Sequence, residues 1–456
     1  MIDIEILRND PERVKESEKN RFTVGGVENV DEVLRLDNEY RELNRELEQA
    51  KGNRNTLSKQ FGRMRKAGED ITELAATLKD LKVRIPELEE RVVEVLKERD
   101  HKFNQIGNLL DETVPIAEDE EEIHTISENL TEDITEGVKE GLTHVDLLYR
   151  IGGVDYDRGV KVMGNRGYYL KGIASRLNQA IISYSLDFLR EREFTQIEVP
   201  MLMKREAMQK CAQLDDFHEQ LYKVVEKDDD PEDKLKYLIA TSEQPLIAMH
   251  MDEMMIPTDL PKLYAGYSSC FRKEAGSQGR DQAGIFRIHI FQKVEQIVYC
   301  LPEESPEYFN KLITNAEDFF KSLGLPYRVV AIPSGALNNA AAIKYDLEAF
   351  FMGSGQYREL VSCSNCTDYQ SRNLMIRMPR DTETRKVPYV HLLNSTLCAT
   401  SRALCCILER YQTEEGVVVP EVLRPYMGGM EMMPFVIDHN YESVGERLNK
   451  KKRSKK

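Results

Sequence analysis

Residues Tyr264–Gln296 read YAGYSSCFRKEAGSQGRDQAGIFRIHIFQKVEQ, two apolar runs around a polar, glycine-rich loop. Leu263–Phe271 and Ile285–Val298 are rich in aromatic and β-branched residues, which suit a pleated, half-buried surface. The loop and its edges carry Arg272, Lys273, Glu274, Arg280 and Arg287. The pattern predicts a hairpin with cations at its base and along its loop. Guanidinium forks match phosphate oxygens in a bidentate way, so such a hairpin is suited to a polyphosphate. Side chains alternate along a strand, so Arg287, Phe291 and Glu295, even steps apart, are expected on one face.

Three further polar words flank this hairpin. Arg192–Pro200 (REFTQIEVP) predicts a strand over Phe194–Val199 that stops at the proline, following a helix over Arg176–Arg192. Thr241–Leu246 (TSEQPL) follows an apolar strand, Tyr237–Ala240. A hydroxyl and a carboxylate there can both accept from an ammonium group, although a capping box at a helix start reads the same residues equally well. The last word runs from Glu359 (ELVSCSNC) to His391–Arg402 (HLLNSTLCATSR), with an apolar helix expected over Leu397–Gln412.

The N-terminal quarter has a different grammar. Apolar residues recur from Val33 through Leu36, Tyr40, Leu43, Leu47, Ala50, Leu57, Phe61 and Met64, with Arg54 in one seam position. A second series runs from Ile71 to Leu109, with Arg99 and Lys102 in the seam. A 3.5-residue period on both sides of a turn predicts two long antiparallel helices in a coiled coil, each about 50 Å long and projecting as an arm. Pro86 is expected to kink the second helix. Residues 111–143 read as a linker containing the acidic cluster Glu118–Glu122, and KDDDPEDK (Lys227–Lys234) as a polar loop. The segment 440–456, ending NKKKRSKK, reads as a basic, disordered tail.

The chain has 456 residues, 41% hydrophobic and 31% charged, enough for two or three domains with a large core. No apolar run approaches the roughly 20 residues of a membrane span. The start, MIDIEILRNDPERVKE, lacks the features of a signal peptide, and its acidity argues against a transit peptide. Eight scattered cysteines form no disulfide framework and fit the cytosol. Cys363 and Cys366 make a lone C-x-x-C that carries little weight as a metal site, and Cys405–Cys406 read as core. The formal net charge of −16 means that any nucleic-acid site must be local. One stretch qualifies. Ala50–Gly68 holds Lys51, Arg54, Lys59, Arg63, Arg65 and Lys66 and no acidic residue. A solvated helix face is the bland reading; in so acidic a chain a polyanion contact is preferred. Neither a Walker loop nor a GxGxxG fingerprint is present.

Taken together, the words resemble the class II aminoacyl-tRNA synthetases, and specifically the seryl-tRNA synthetases of the cytosolic bacterial and eukaryotic type. Phe271-Arg272-x-Glu274 with Arg287-x-x-x-Phe291 resembles motif 2, Arg192–Pro200 motif 1, and His391–Arg402 motif 3. Gly164–Gly172 (GNRGYYLKG) and the helical hairpin also match the family, whereas Ile290 stands where its members usually have Gln. The resemblance implies an α+β architecture. An N-terminal tRNA-binding domain (1–110, arm about 30–109) precedes a catalytic domain (144–439) built on an antiparallel sheet flanked by helices. It implies serine–tRNA ligation with ATP. Arg272, Arg287 and Arg402 would serve catalysis, and Thr241, Glu243, Arg272, Glu295, Asn394, Ser395 and Thr396 would bind serine. ATP would meet Arg272, Lys273, Glu274, Ile288, Phe291, Glu359, Leu360, Val361, Ser362 and Arg402, with Mg²⁺ on Glu359 and Ser362. The implied partners are tRNA(Ser), with tRNA(Sec) left open, and a second copy in a homodimer. Three rivals are a synthetase-like tRNA-binding module without chemistry, a coiled-coil scaffold with an unrelated C-terminal half, and a ligase for another amino acid. The co-occurrence of the four words and the pattern Thr241, Glu243, Glu295 argue against them.

Overall fold

The computed structural model describes residues 1–120, 123–130, 141–211, 220–227, 231, 234–274 and 283–443. Arg280, most of KDDDPEDK, Glu121 and Glu122, and the basic tail from 444 lie outside the described residues. The chain divides into two compact units, Met1–Leu109 and Leu110–Lys456.

In the first unit, two short helices, α1 (Ile4–Asn9) and α2 (Pro11–Asn20), precede two long ones, α3 (Gly26–Ala67) and α4 (Thr72–Phe103). The Asp10 carboxylate caps α2 by accepting from the Arg13 amide, and Pro11 occupies the first turn, where no amide partner is needed. The 42 residues of α3 make a rod about 63 Å long. It ends at Gly68, whose φ of +74° suits a left-handed helix cap. Helix α4 returns antiparallel, packing Leu81, Ile85, Leu88 and Val92 against Leu43, Leu47 and Ala50. The helix runs on through Pro86. The seam cation Arg99 donates to Asp37 at 3.1 Å, and Arg8 meets the same buried carboxylate through two bonds of 2.8 Å. Arg54, by contrast, is exposed.

The second unit is organised by an eight-stranded sheet. Its strands are β1 (His124–Asn129), β2 (Thr195–Glu198), β3 (Lys262–Phe271), β4 (Ile290–Cys300), β5 (Tyr327–Ala331), β6 (Ile343–Phe351), β7 (Gln356–Asn365) and β8 (His391–Ala399). They lie in the order β1-β5-β6-β7-β8-β4-β3-β2, all antiparallel except the β2–β3 pair. The edge strand β1 comes from the stretch that the sequence presents as a linker. Helices α5 (Gly172–Arg190), α6 (Ser305–Ser322) and α7 (Thr400–Arg410) bury their apolar sides in the main core with the sheet. On that face Gln296 of β4 donates to the Leu312 carbonyl of α6 and accepts from Asn315. The opposite face is partly covered by a short helix, Glu243–Ile247, packed with a small three-stranded sheet around Ile297 and Tyr299. Gly266 of β3 permits this cover, because a Cβ there would lie 2.4 Å from a Leu246 methyl.

Two of the boundaries that differ from the sequence reading bear on the site. Leu397–Ala399 finish β8, so the last helix starts at Thr400. The second hairpin strand begins at Ile290, so Arg287 lies before the ladder.

Candidate active site

The site grows from the face of β4 that points away from the helices. Residues Phe291, Lys293 and Glu295 alternate onto it. Glu295 is buried, and its Oε1 accepts from three donors. The Thr241 hydroxyl donates at 3.1 Å and the Thr396 hydroxyl at 3.2 Å. The ammonium of Lys293 completes the set as an ion pair. Thr396 sits directly opposite Glu295 in the β8–β4 register, and Thr241 reaches it from the strand end before the short helix. Asn394 shares the face of Thr396 and donates to Cys366 Sγ at 3.6 Å. Ser395 pairs with Cys363 and Gln296 on the helix side, so its backbone alone addresses this pocket.

Glu243 lies beside this cluster. Burial first, then the charge of Glu295, pushes its carboxyl up to about 7, against the opposing pull of Lys293, Arg272 and Lys344. Glu295 has a dedicated cation and two hydroxyl donors, whereas Glu243 has no cation at ion-pair distance among the described residues.

At the upper end of the hairpin, the Arg272 guanidinium stands 5.3 Å from the Phe291 ring centre and donates to the Ala240 carbonyl at 3.3 Å. Its backbone amide is tied to His289 and the Lys273 amide to Gln220. Glu274 takes a positive φ of 53° as the chain leaves β3, and its carboxylate meets Arg287 at 3.4 Å. The Arg287 carbonyl accepts from Arg166 of the GNRGYYLKG stretch at 2.7 Å. Ile288 is buried in the main core, so only its backbone is open to a ligand. Ile290 is exposed on the other face, away from the chemistry.

Strand β7 supplies the third group. Glu359 and Ser362 are three residues apart and would lie on opposite faces of a regular strand. A bulge at Leu360 resets the register, pairing Glu359 with Glu348 and Ser362 with Asp346, so both share the site face. Leu360 and Val361 turn their side chains into the core. Arg402, at the start of α7, donates to the Glu359 carbonyl at 2.9 Å and approaches its carboxylate at 3.3 Å. Burial works to raise the Glu359 pKa, but Arg402, Lys344 and Arg272 outweigh it and hold it below its ordinary value. The Arg402 guanidinium also lies 4.8 Å from the Phe286 ring.

Asp346 and Lys344, 3.6 Å apart, were not legible as site residues in the sequence. Asp346 Oδ1 is buried without a hydrogen-bond partner, and burial, with Lys344 opposing, pushes this carboxyl up to about 7. Lys293 was also missed. Its signal was parity, since it alternates with Phe291 and Glu295. The two sulfurs of the C-x-x-C serve different partners: Cys363 donates to Phe309 and Cys366 accepts from Asn394.

In the first unit, Arg54, Lys59, Arg63, Arg65 and Lys66 are exposed along the distal half of α3, while Lys51 pairs with Glu89 at 3.0 Å.

Comparison with known proteins adds the family. A model described as the tRNA synthetase class II core domain (G, H, P, S and T) matches residues 222–411. A Seryl-tRNA synthetase N-terminal domain model matches residues 1–110. Serine–tRNA ligase of Helianthus annuus is 47% identical over 446 residues, covering 96% of this chain and 99% of that one. The cytoplasmic serine–tRNA ligase of Schizosaccharomyces pombe is 48% identical over 442 residues, 95% of this chain and 97% of that one. Seryl-tRNA synthetase of Pyrococcus horikoshii, solved with ATP, superposes with a TM-score of 0.88 at 41% identity, covering 96% of this chain and all of its own.

Proposed function

The chain belongs to the seryl-tRNA synthetase family, and from that premise we propose how the residues on the open face of its sheet carry out serine–tRNA ligation. The reaction has two steps. A serine carboxylate oxygen attacks the α-phosphorus of ATP, and the bond to pyrophosphate breaks to leave seryl-adenylate. A hydroxyl of the terminal tRNA ribose then attacks the seryl carbonyl, and AMP departs. No side chain need become a covalent nucleophile. Positioning and charge stabilisation supply the rate enhancement.

The observation that carries the assignment is the convergence of Thr241, Thr396 and Lys293 on one oxygen of Glu295, next to a carboxyl poised to ionise. Glu295 and Thr396 receive the serine hydroxyl, Glu243 and Thr241 its ammonium group, and Arg272 its carboxylate and the α-phosphate. Asn394 and the Ser395 backbone close the pocket, leaving threonine no room. Alanine would leave Glu295 short of a donor in a dry site, an arrangement that can reject a substrate by about 10⁴-fold. Phe291 stacks on adenine, Glu274 takes its amino group, and Arg287 reaches the γ-phosphate. Lys273 and the backbones of Ile288, Leu360 and Val361 line the nucleotide path. Arg402 covers the far face of the adenine after leaving Glu359.

The donor set also fits Mg²⁺. Glu359 and Ser362 would hold it with phosphate oxygens, and Asp346, hydrogen-bonded to Ser362, adds a buried carboxylate whose Oδ1 has the ion pair with Lys344 but no hydrogen bond. When bound, the ion would neutralise phosphate charge. The arm binds the tRNA backbone through Arg54, Lys59, Arg63, Arg65 and Lys66, with Lys51 joining after leaving Glu89. The protein works in the cytoplasm as a homodimer and charges tRNA(Ser), and tRNA(Sec) is a second substrate to test. Among the described residues no helix is long and apolar enough to cross a membrane.

Pyrophosphate–ATP exchange against each of the twenty amino acids tests the reading. Exchange with serine alone is expected. Folded protein that exchanges with none would instead be a tRNA-binding homologue without chemistry. In the same assay Glu295→Ala should abolish serine-dependent exchange while leaving ATP binding intact; retained serine activation would remove Glu295 from the pocket.

A further inference from the structure

We propose that Lys293 is a positioning residue for serine selection, its ammonium holding the Glu295 carboxylate as the acceptor that reads the substrate hydroxyl. The inference rests on the pocket reading above and deepens it.

Lys293 is 7% exposed, and its Nζ meets the same Glu295 oxygen that accepts from Thr241 and Thr396. A buried ammonium is costly unless paired, so the contact is not a surface coincidence. Both residues project from the same face of β4, two positions apart in a strand paired on both sides by β3 and β8. The ladder on both sides fixes where the two side chains leave the backbone.

The charged groups facing the pair can be named element by element. The short helix presents Glu243, β3 presents Arg272 and the Cys270 thiol, β6 presents Lys344, and β8 presents the uncharged Thr396 and Asn394. Glu243 and Glu295 repel each other. In a dry pocket, two carboxyls so placed share their protons unless something separates their roles. Lys293 is the group that breaks the tie. It gives Glu295 a counter-charge at contact distance, which Glu243 lacks among the described residues. The upward shift of Glu243, driven in part by Glu295, agrees with this division.

Selectivity follows from the charge state. An ionised Glu295 accepts hydrogen bonds and strongly penalises alanine, which leaves it one donor short. A protonated Glu295 can both donate and accept, and that penalty shrinks. Lys293 therefore acts through Glu295 rather than on the reacting atoms.

The test is exchange kinetics with serine and with alanine across pH 6–8.5 for Lys293→Met, Lys293→Gln and Lys293→Ala, each checked by thermal melting. The expected result at neutral pH is a serine kcat/KM lowered at least about tenfold, and a serine-to-alanine ratio contracted by a similar factor. The pH profile of serine activation should change as well, because the counter-charge beside Glu295 is gone. Added ethylammonium should restore part of the lost ratio in the Lys293→Ala protein, which a purely structural defect would not allow. A folded variant with an unchanged ratio and an unchanged pH profile would overturn the proposal. If the apolar and neutral variants do not fold, Lys293→Arg decides: it must keep the ratio and profile of the unsubstituted enzyme, and loss of the ratio would overturn the proposal. Glu295→Gln separates the two levels. Loss of discrimination there, with normal discrimination in Lys293→Met, would sink the role of Lys293 alone, whereas normal discrimination in Glu295→Gln would sink the pocket reading itself.

Discussion

Serine binding should weaken as the pH falls through 7, because Glu243 must give up a proton to receive the substrate ammonium. Its carboxyl is raised to about 7 in the ligand-free protein, from an ordinary 4.5, by burial and by Glu295. Pairing with an ammonium requires the ionised form. The fraction ionised falls from about three-quarters at pH 7.5 to about 3% at pH 5.5, so the apparent Kd should rise about 25-fold over that range. The serine ammonium itself stays protonated throughout. Calorimetric titration in buffers of different ionisation enthalpy measures both quantities, the Kd and the protons released. Release should approach one proton per serine at about pH 6 and fade above about pH 8. Glu243→Gln should bind weakly and with little pH dependence. Asp346, also raised to about 7, lies at the phosphate end, and Asp346→Asn should leave the serine titration unchanged. A flat Kd in the unsubstituted protein, or an undiminished slope in Glu243→Gln, would refute the assignment of that proton to Glu243.

The same shift has a consequence for stability. A folded-state pKa above the unfolded one gives a contribution that is complete below about 4.5 and lost as the pH rises through about 7. Ligand-free Glu243→Gln should therefore melt higher than the unsubstituted protein near pH 8, on the order of 2 °C, with the difference vanishing near pH 4.5. On the arm, replacing Arg63, Arg65 and Lys66 with Ala should spare exchange and weaken charging. It should also lower the slope of log K for tRNA against log salt by up to about three, measured by filter binding. Loss of exchange as well would point to misfolding. In the helical unit, Asp37→Ala would remove the buried carboxylate that Arg8 and Arg99 share, leaving them Glu5 and Asp100, and should cost about 2 kcal/mol, read from urea unfolding of that transition. Burial works to raise the Asp37 pKa, but the two guanidinium groups outweigh it. Its contribution is therefore present above about 3.8 and lost as the pH falls below that, so an acid-insensitive transition would contradict the network.

Much of this was legible because period is a local property. The seam from Val33 to Met64 and its return from Ile71 specify a helical hairpin wherever they occur, and α3 and α4 are that hairpin. Parity likewise placed Phe291 and Glu295 on one face. It failed for Arg287, which precedes the ladder and meets Glu274 through the path of the loop. Parity alone would also have split Glu359 from Ser362; the bulge at Leu360 joins them, and a bulge has no reliable one-residue signature. Lys293 and Asp346 were overlooked for a different reason. A charged residue in a strand reads as solvated until its neighbours are known, and the partners that justify burying these two are assembled only by tertiary packing. The edge strand β1 was missed because HTISEN is polar and half-exposed, so its pairing with β5 leaves little mark on composition.

Three cations of the site are already paired with carboxylates before substrates arrive. Arg287 faces Glu274, Arg402 faces Glu359, and Lys293 faces Glu295. This bears on how a site dense in positive charge stays folded while empty. Unscreened, Arg272, Arg287, Arg402 and Lys344 would repel one another in a partly dry cleft; carboxylates at contact distance offset that cost. On the proposed roles, two of those carboxylates are the groups that must be released for work: Glu274 to take the adenine amino group and Glu359 to hold Mg²⁺. ATP binding is then an exchange of carboxylate for phosphate at Arg287 and Arg402, and each exchange frees a recognition group at the moment it is needed. Lys293 stands apart, because Glu295 needs its charge both before and after serine binds. Glu274→Gln discriminates sharply between these two roles. If Glu274 only reads adenine, the variant loses ATP affinity and its preference over GTP. If it also holds Arg287 in reserve, the ligand-free variant should in addition melt lower, with that extra loss restored by pyrophosphate, which offers Arg287 another anion. A Glu274→Gln protein with an unchanged melting temperature would leave Glu274 a reader alone and remove the exchange at Arg287.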